Sequence, residues 1–468
     1  RFEFPEVLND DGDYVGFDAV IGNPPYIQLQ KAYNDTMKYA DLYKNMNYET
    51  FDRTGDIYCL FYEKGIQIAK DNGLLCYISS NKWMRAGYGE KLRNFFLKYN
   101  PLLLLDLGPG IFESATVDTC IMMLQKSKIK DKYFLQAVTI TKEKNLPLDI
   151  DEQVKGKSVT LSKLTKDAWF IGSEAEQKLK EKIERLGKPL KDWDVKIYYG
   201  IKTGLNEAFI IDDTKRQEIL DNCKDDDERR RTETIIKPIL RGRDIKRYYY
   251  EWAGLWVIFI PWHFPLHNDT SVQGASEKAE NEFIRQYPSV YNHLLQYKES
   301  LSKRNKEETG IRYEWYALQR CAATYYSEFE KEKVVWAGVG SKLITTIAPI
   351  SIYLNAPANF LVSLKVKFLQ GILNSQCILW YYDSIKTKLG EKGGRFYIYD
   401  FLNLPIPPIT STTEPIVSRI ELLVDNILAA KKENHAADTH EWEKEIDELV
   451  YKLYDLTELG DKSSFAIL

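Results

Sequence analysis

Four consecutive residues carry the most pointed chemistry in this chain: Asn23-Pro24-Pro25-Tyr26, directly after the apolar run Phe17 to Gly22. A side-chain amide oxygen and a rigidly held backbone carbonyl can each accept a hydrogen bond from the two N–H groups of a planar exocyclic amine. Such an amine, the N6 group of adenine for one, is a poor nucleophile because its lone pair is delocalised into the ring. Two well-placed acceptors draw the nitrogen toward tetrahedral geometry and aim its lone pair at an electrophile. Asn23 supplies one acceptor and the Pro24 carbonyl the other. The prolines fix the backbone, and the Tyr26 ring offers a platform on which a flipped base can stack. The plain alternative is a proline turn that only closes a strand.

The surrounding pattern says what must hold these residues in place. Phe17 to Gly22 predicts a buried strand ending at the two prolines. Asp56 to Lys70 places Ile57, Leu60, Phe61, Ile66 and Ile68 at helical spacing, with Asp56 as the cap. Gly73 to Ile78 predicts a second strand, Lys91 to Leu97 a helix, and Leu102 to Leu107 and Thr119 to Leu124 two more strands. Strands alternating with helices imply an α/β fold with a mainly parallel sheet. The texture then changes: after a helix over Glu174 to Leu186 come short strands, many aromatics and Gly and Pro punctuation, which reads as α+β. Beyond Leu404-Pro405-Ile406-Pro407-Pro408, two apolar helical stripes predict a helical hairpin. The expected domains are residues 1–165, 166–410 and 411–468.

The formal net charge of -4 conceals an uneven distribution. From Glu414 onward there are 6 Lys or Arg against 13 Asp or Glu, which leaves 58 basic and 55 acidic residues before it. Arg229 to Arg247 holds 8 basic residues against 2 acidic ones, enough to neutralise phosphates if it is not merely a solvated face. No apolar run approaches the roughly 20 residues of a membrane helix, so no membrane partner is expected. The six cysteines lie far apart without a C-x-x-C pair, against structural zinc or a disulfide framework and in favour of a reducing cytoplasm. His263 and His267 flank Pro265 and cannot share a helical face as ligands, and no metal site is expected.

Phe17 to Lys126 resembles the second half of a TaqI-type DNA adenine-N6 methyltransferase domain, through an ordered series of motifs. Asn23-Pro24-Pro25-Tyr26 corresponds to the catalytic motif, Asp56 to Lys64 to the next helix, Gly73 to Trp83 to the next strand with its Ser-Asn turn, Ile111-Phe112 to a base-stacking loop, and Val117 to Lys126 to the last hairpin strand. The resemblance implies a Rossmann-like sheet and S-adenosyl-L-methionine as cofactor, with Asn23, Pro25 and Phe61 against it and Tyr26 and Phe112 sandwiching the adenine. Gly200 to Phe209 and Leu240 to Tyr248 resemble the TaqI-like target-recognition domain of type IIG restriction–modification enzymes, and the exit at Leu404 to Pro408 resembles the start of a helical spacer. Double-stranded DNA is the implied partner. Lys202, Arg241, Arg243, Lys246 and Arg247, with Lys388 and Arg395 in a glycine-rich basic loop, are the candidate contacts to phosphates or base edges. Tyr248, Tyr249 and Tyr250 beside them read as core rather than interface aromatics, the other reading open to them.

The family's glycine-rich cofactor loop does not precede Asn23, and a doubly wound sheet places those cofactor strands beside the one ending there. The expectation is a fragment that needs the upstream half of the methyltransferase domain and binds cofactor weakly or not at all by itself. The same tetrapeptide serves protein-glutamine methyltransferases, and a DNA-binding specificity module without catalysis is a further alternative. An attached nuclease is not evident: Asp192-Trp193-Asp194-Val195-Lys196 has only a loose D-x-K look.

Overall fold

The computed structural model describes residues 4–32, 37–111, 117–128, 134–140, 149–320, 326–386 and 394–456. The chain divides into two compact units, one built mainly from Arg1–Ile183, the other mainly from Glu184–Trp380 and Phe396–Thr457. Among the described residues no helix is long and apolar enough to cross a membrane.

The first unit is an α/β sandwich. Its elements run β1 (Phe17–Gly22), α1 (Tyr39–Tyr43), α2 (Tyr58–Ile68), β2 (Ala69–Ser80), α3 (Glu90–Phe96), β3 (Asn100–Gly108), β4 (Thr119–Gln125), β5 (Leu135–Thr139), α4 (Ile150–Lys157), β6 (Val159–Leu161) and α5 (Glu174–Leu186). The six strands lie in the order β1-β2-β4-β3-β5-β6. The sheet is mixed rather than mainly parallel: β1–β2 and β3–β5 are parallel, while β4 inserts antiparallel to both β2 and β3. Alternation along β4 explains its fit. Cys120, Met122 and Leu124 enter the core formed with Tyr58, Tyr62, Leu75, Trp83 and Phe96, whereas Ile121 faces the other layer with Leu105, Val138 and α4. α2 lies tight on the sheet at Gly65, where an added Cβ would stand 2.6 Å from Leu75. Burying each large side chain of this core contributes about 1.5–3 kcal/mol.

The second unit contains two four-stranded sheets made of short, scattered strands. One orders Tyr353–Leu354, Ile236–Leu240, Trp256–Ile258 and Ile210–Ile211; the other orders Thr345–Ala348, Lys333–Trp336, Asn359–Ser363 and Val195–Tyr199. Helix Glu414–Glu433 is followed by helix His440–Leu453, the expected hairpin. The first of these packs on helix Val366–Asn374 of the same unit, closely enough that a Cβ on Gly371 would sit 2.6 Å from Ile420. Short strands followed by C-terminal helices agree with the expected α+β region and helical end.

Candidate functional site

Asn23 to Tyr26 leave the carboxyl end of β1, which pairs with β2 on one side and is otherwise an edge of the described sheet. The loop is fixed from beyond by residues that precede α2. The Asp56 carboxylate accepts the Ile27 N–H at 2.7 Å, Ile57 N–H donates to the Ile27 carbonyl at 2.9 Å, and Leu29 N–H donates to Gly55 at 3.0 Å. Leu29 is buried with Ala40, Ile57 and Leu60, which anchors that side. Pro24 is buried as a result, while Asn23 and Pro25 remain exposed. Strand pairing before the tetrapeptide and a bridge after it hold its backbone, so its side chains need not do so.

Tyr26 is half-buried, edge-on to Tyr58 with ring centroids 6.2 Å apart. Its hydroxyl is buried without a hydrogen-bond partner. Burial, then the nearby Cys120 and Asp56, push its pKa up to about 12, so the phenol is neutral at physiological pH. Burial also raises the Asp56 carboxyl, opposed by the backbone N–H groups of Ile27, Tyr58 and Ile57 and by the charge of Lys82. The sequence reading of Asp56 as a helix cap missed its tie to Ile27, since nothing local distinguishes a cap from a clamp on a distant loop. Phe61 stands out on α2: it is 40% exposed while Leu60 and Tyr62 beside it are buried. In the Ser-Asn turn itself, Asn81 donates to Asp106 at 2.8 Å. Phe112 lies outside the described residues.

In the second unit, Lys202 is exposed and forms an antiparallel bridge with Arg320, whose guanidinium lies 5.5 Å from the Tyr199 ring centre. Arg320 was missed because it is far along the chain from the Gly200 to Phe209 motif that it joins. Buried Arg304 was missed for the same reason. It donates to the carbonyls of Thr203, Leu301, Trp315 and Ala317 and lies over Phe209, and burial pulls its pKa down to about 10. Gly204 follows from this contact: its φ is +78° and a Cβ would meet Arg304 at 2.8 Å.

The basic turn is more committed than its sequence suggests. Arg241 holds Asp244 with two side-chain bonds of 3.0 and 2.8 Å, and Asp244 also accepts the Arg241 N–H. Arg247 donates to Glu443 at 2.6 Å and lies over Tyr248. Lys246 reaches the Arg243 carbonyl and Glu251, while Arg243 itself is exposed. Arg395 is exposed, and Lys388 lies outside the described residues. Tyr248 is core as expected, whereas Tyr249 and Tyr250 are only half-buried. His263 is occupied by Glu314 at 3.1 Å, and Lys196 of the D-x-K stretch pairs with Glu328. Among the described residues no group of three or more His, Cys, Asp or Glu is placed to hold a metal ion.

Two family descriptions match the chain: Eco57I restriction-modification methylase over residues 1–110 and TaqI-like C-terminal specificity domain over residues 237–406. The chain is similar to the type II restriction enzyme and methyltransferase RM.Eco57I of Escherichia coli, 24% identical, with 96% of this chain and 47% of that protein covered. It is also similar to the type II methyltransferase M.BstVI of Geobacillus stearothermophilus, 25% identical over 63% of this chain and 50% of that protein. Among solved structures it shares the fold of the type IIL restriction-modification enzyme MmeI in complex with DNA, with a TM-score of 0.58, 13% identity, and coverage of 96% of this chain and 56% of that one. The chain spans about half the length of the curated relatives it matches. The resemblance drawn from the motifs, a methylase region followed by a TaqI-like specificity domain, is met in both parts.

Proposed function

We propose that this chain carries the catalytic motif and the target-recognition part of a DNA adenine-N6 methyltransferase of a restriction–modification system. The observation that carries the reading is the Asn23-Pro24-Pro25-Tyr26 loop itself: it sits at the carboxyl end of a parallel-paired strand, with its backbone pinned on both sides and Asn23 left exposed. Open α/β sheets bind their ligands at that end. Residues 1–165 act as the catalytic-motif half, 166–410 as the DNA reader and 411–468 as a helical segment that braces it.

In this reading a flipped adenine lies against the half-buried Tyr26 ring, with Phe112 on its other face. The Asn23 side-chain oxygen and the Pro24 carbonyl accept the two N6 hydrogens and orient the nitrogen lone pair outward. S-adenosyl-L-methionine, when bound, supplies an electrophilic methyl group. Exposed Asn23 and Pro25 and the exposed Phe61 ring fit one wall of its site. The rest of that wall comes from the upstream half of the domain, added to the free edge of β1, where Ile21 is 80% exposed. An apolar strand edge of this kind needs a cover. Lys202, Arg243, Lys246, Arg395 and Lys388 contact double-stranded DNA, and Arg241 and Arg247 hold the turn from which their neighbours reach it.

The deciding experiment measures methyl transfer to duplex DNA by the chain joined to the polypeptide that completes its sheet. Asn23→Ala is expected to lower the rate by about 10²–10³-fold, the usual effect of removing one preorganised polar group at the reacting centre. Unchanged transfer by that variant overturns the catalytic reading. DNA binding that persists without any transfer by the unaltered protein would instead favour a specificity module.

A further inference from the structure

The tyrosine of the Asn23–Tyr26 loop is not held by its own hydroxyl, which is buried without a hydrogen-bond partner. The plane of its ring must be fixed by packing. That ring stands edge-on to Tyr58 at the start of α2, with centroids 6.2 Å apart and planes 89° from parallel. Aromatic pairs prefer this edge-to-face arrangement, and it orients both rings. It fixes Tyr26 only as well as Tyr58 is itself fixed.

Tyr58 is fully buried, and its hydroxyl meets the hydroxyl of Tyr88 at 2.7 Å. Burial raises the pKa of both phenols, so the bond joins two neutral groups throughout the physiological range. Tyr88 lies 30 residues further along, in the single turn Gly87–Gly89 that leads into α3. That turn is pinned from inside. Buried Arg93 of α3 donates to the carbonyls of Trp83 and Ala86 ahead of the turn, and to the carbonyl of Lys166. Gly89 packs on Trp83 too closely for any side chain, since an added Cβ would stand 2.0 Å from the Trp83 carbonyl oxygen. The Tyr88 ring also lies by Gly55, where a Cβ would be 3.6 Å from it, and the Gly55 carbonyl accepts Leu29 N–H. One side chain therefore touches two supports of the loop: Tyr58 beside the Tyr26 ring, and the turn that holds Leu29.

We propose that Tyr88 is a positioning residue for methyl transfer: through Tyr58 it sets the plane of the Tyr26 ring on which the target base stacks. The inference rests on the adenine methyltransferase reading above and adds to it a control point outside the motif. Asn23 and the Pro24 carbonyl are set by the backbone, so a tilted platform carries the base amine away from acceptors that do not follow. A displacement of about 1 Å at a reacting centre can cost about a hundredfold in rate.

The test uses the chain joined to the polypeptide that completes its sheet. Tyr88→Phe keeps the ring by Gly55 and removes only the hydroxyl. It is expected to lower kcat about tenfold, for the loss of one hydrogen bond, with KM for DNA unchanged. Tyr58→Phe should lower kcat equally, and the double variant no further than either alone, because both remove the same bond. A second readout is a duplex carrying the methylation site with 2-aminopurine at the target position, whose emission falls when it stacks. At saturating DNA, Tyr88→Phe should raise that emission toward the level of Tyr26→Leu, and should change nothing in a Tyr26→Leu background. Unchanged kcat or emission, additive losses, or an emission change that persists without the Tyr26 ring overturns the proposal and leaves the catalytic reading standing. Transfer that Asn23→Ala does not lower overturns the catalytic reading, and the proposal with it.

Discussion

The Asn23–Tyr26 loop and the Arg241–Tyr250 turn and hairpin are the two places where motifs are densest, and they are held in opposite ways. The first is fixed through its backbone: strand pairing before it, the Asp56 carboxylate on Ile27 N–H after it. Asn23 and Pro25 are therefore left to act outward. The second is fixed through its charged side chains: Arg241 on Asp244 and Arg247 on Glu443. A motif's charges are thus not all available for a partner. Where side chains supply the scaffold, only the remainder, here Arg243 and in part Lys246, stays free to reach out.

Four predictions test that contrast. The largest effect is expected at Arg304, the extreme of side-chain scaffolding: Arg304→Ala takes a donor from four carbonyls and the packing from two aromatic faces, and costs about 3–5 kcal/mol in denaturant unfolding. A cost below about 1 kcal/mol would break the claim that the recognition motif is held from inside. Next is Asp447, buried and accepting Gln376 N–H, whose pKa burial raises to about 6 against the opposing charge of Arg247. Its folded value lies above the unfolded one, so its contribution is fully present below about pH 4 and lost as pH rises through 6. Asp447→Asn should remove that slope and add up to about 3 kcal/mol at neutral pH; an unchanged pH profile of unfolding would contradict it. Third, Arg241→Ala should cost about 2 kcal/mol of stability by stranding Asp244. Arg243→Ala should stay within about 0.5 kcal/mol yet weaken DNA binding and flatten its salt dependence by about one ion. The reverse pattern would dissolve the distinction between scaffold and contact. The smallest effect belongs to the backbone-held loop: Asp56→Ala should cost about 1 kcal/mol, and Asp56→Asn, which keeps an acceptor for Ile27, should restore most of it. Equal losses from both variants would mean that the charge, and not the acceptor, matters.

Much of the first unit was legible in the sequence. Periodicity located β1 and α5 at their observed ends, because each is a complete apolar pattern bounded by strong signals: prolines after Gly22 and a glycine after Leu186. It failed at the junction of α2 and β2, where it carried the helix to Lys70 and began the strand at Gly73. The strand begins at Ala69 because that residue pairs with Phe17 and its carbonyl takes the Lys126 ammonium, partners no local window contains. The mixed character of the sheet was hidden similarly, since β4 reads the same in either direction. In the second unit, Lys333–Trp336 and Thr345–Ala348 are buried along their whole length and show no alternation to read. Lys333 even enters the interior, its ammonium on the carbonyls of Phe329, Lys331 and Pro349.

The sequence by itself determined the chemistry on offer: an amide and a proline carbonyl after a strand, an aromatic beside them, and a second region with a dense run of cations. These follow from residue type and nearest-neighbour order, which hold in any conformation. Only the tertiary structure decided which groups are free to use that chemistry. Whether Asp56 caps a helix or clamps a loop, whether Arg247 is paired with Glu443, and whether the Tyr26 hydroxyl finds a partner all depend on groups brought together from far along the chain. Hydrogen bonds and ion pairs act over a few ångströms of space, and the sequence records only distance along the backbone.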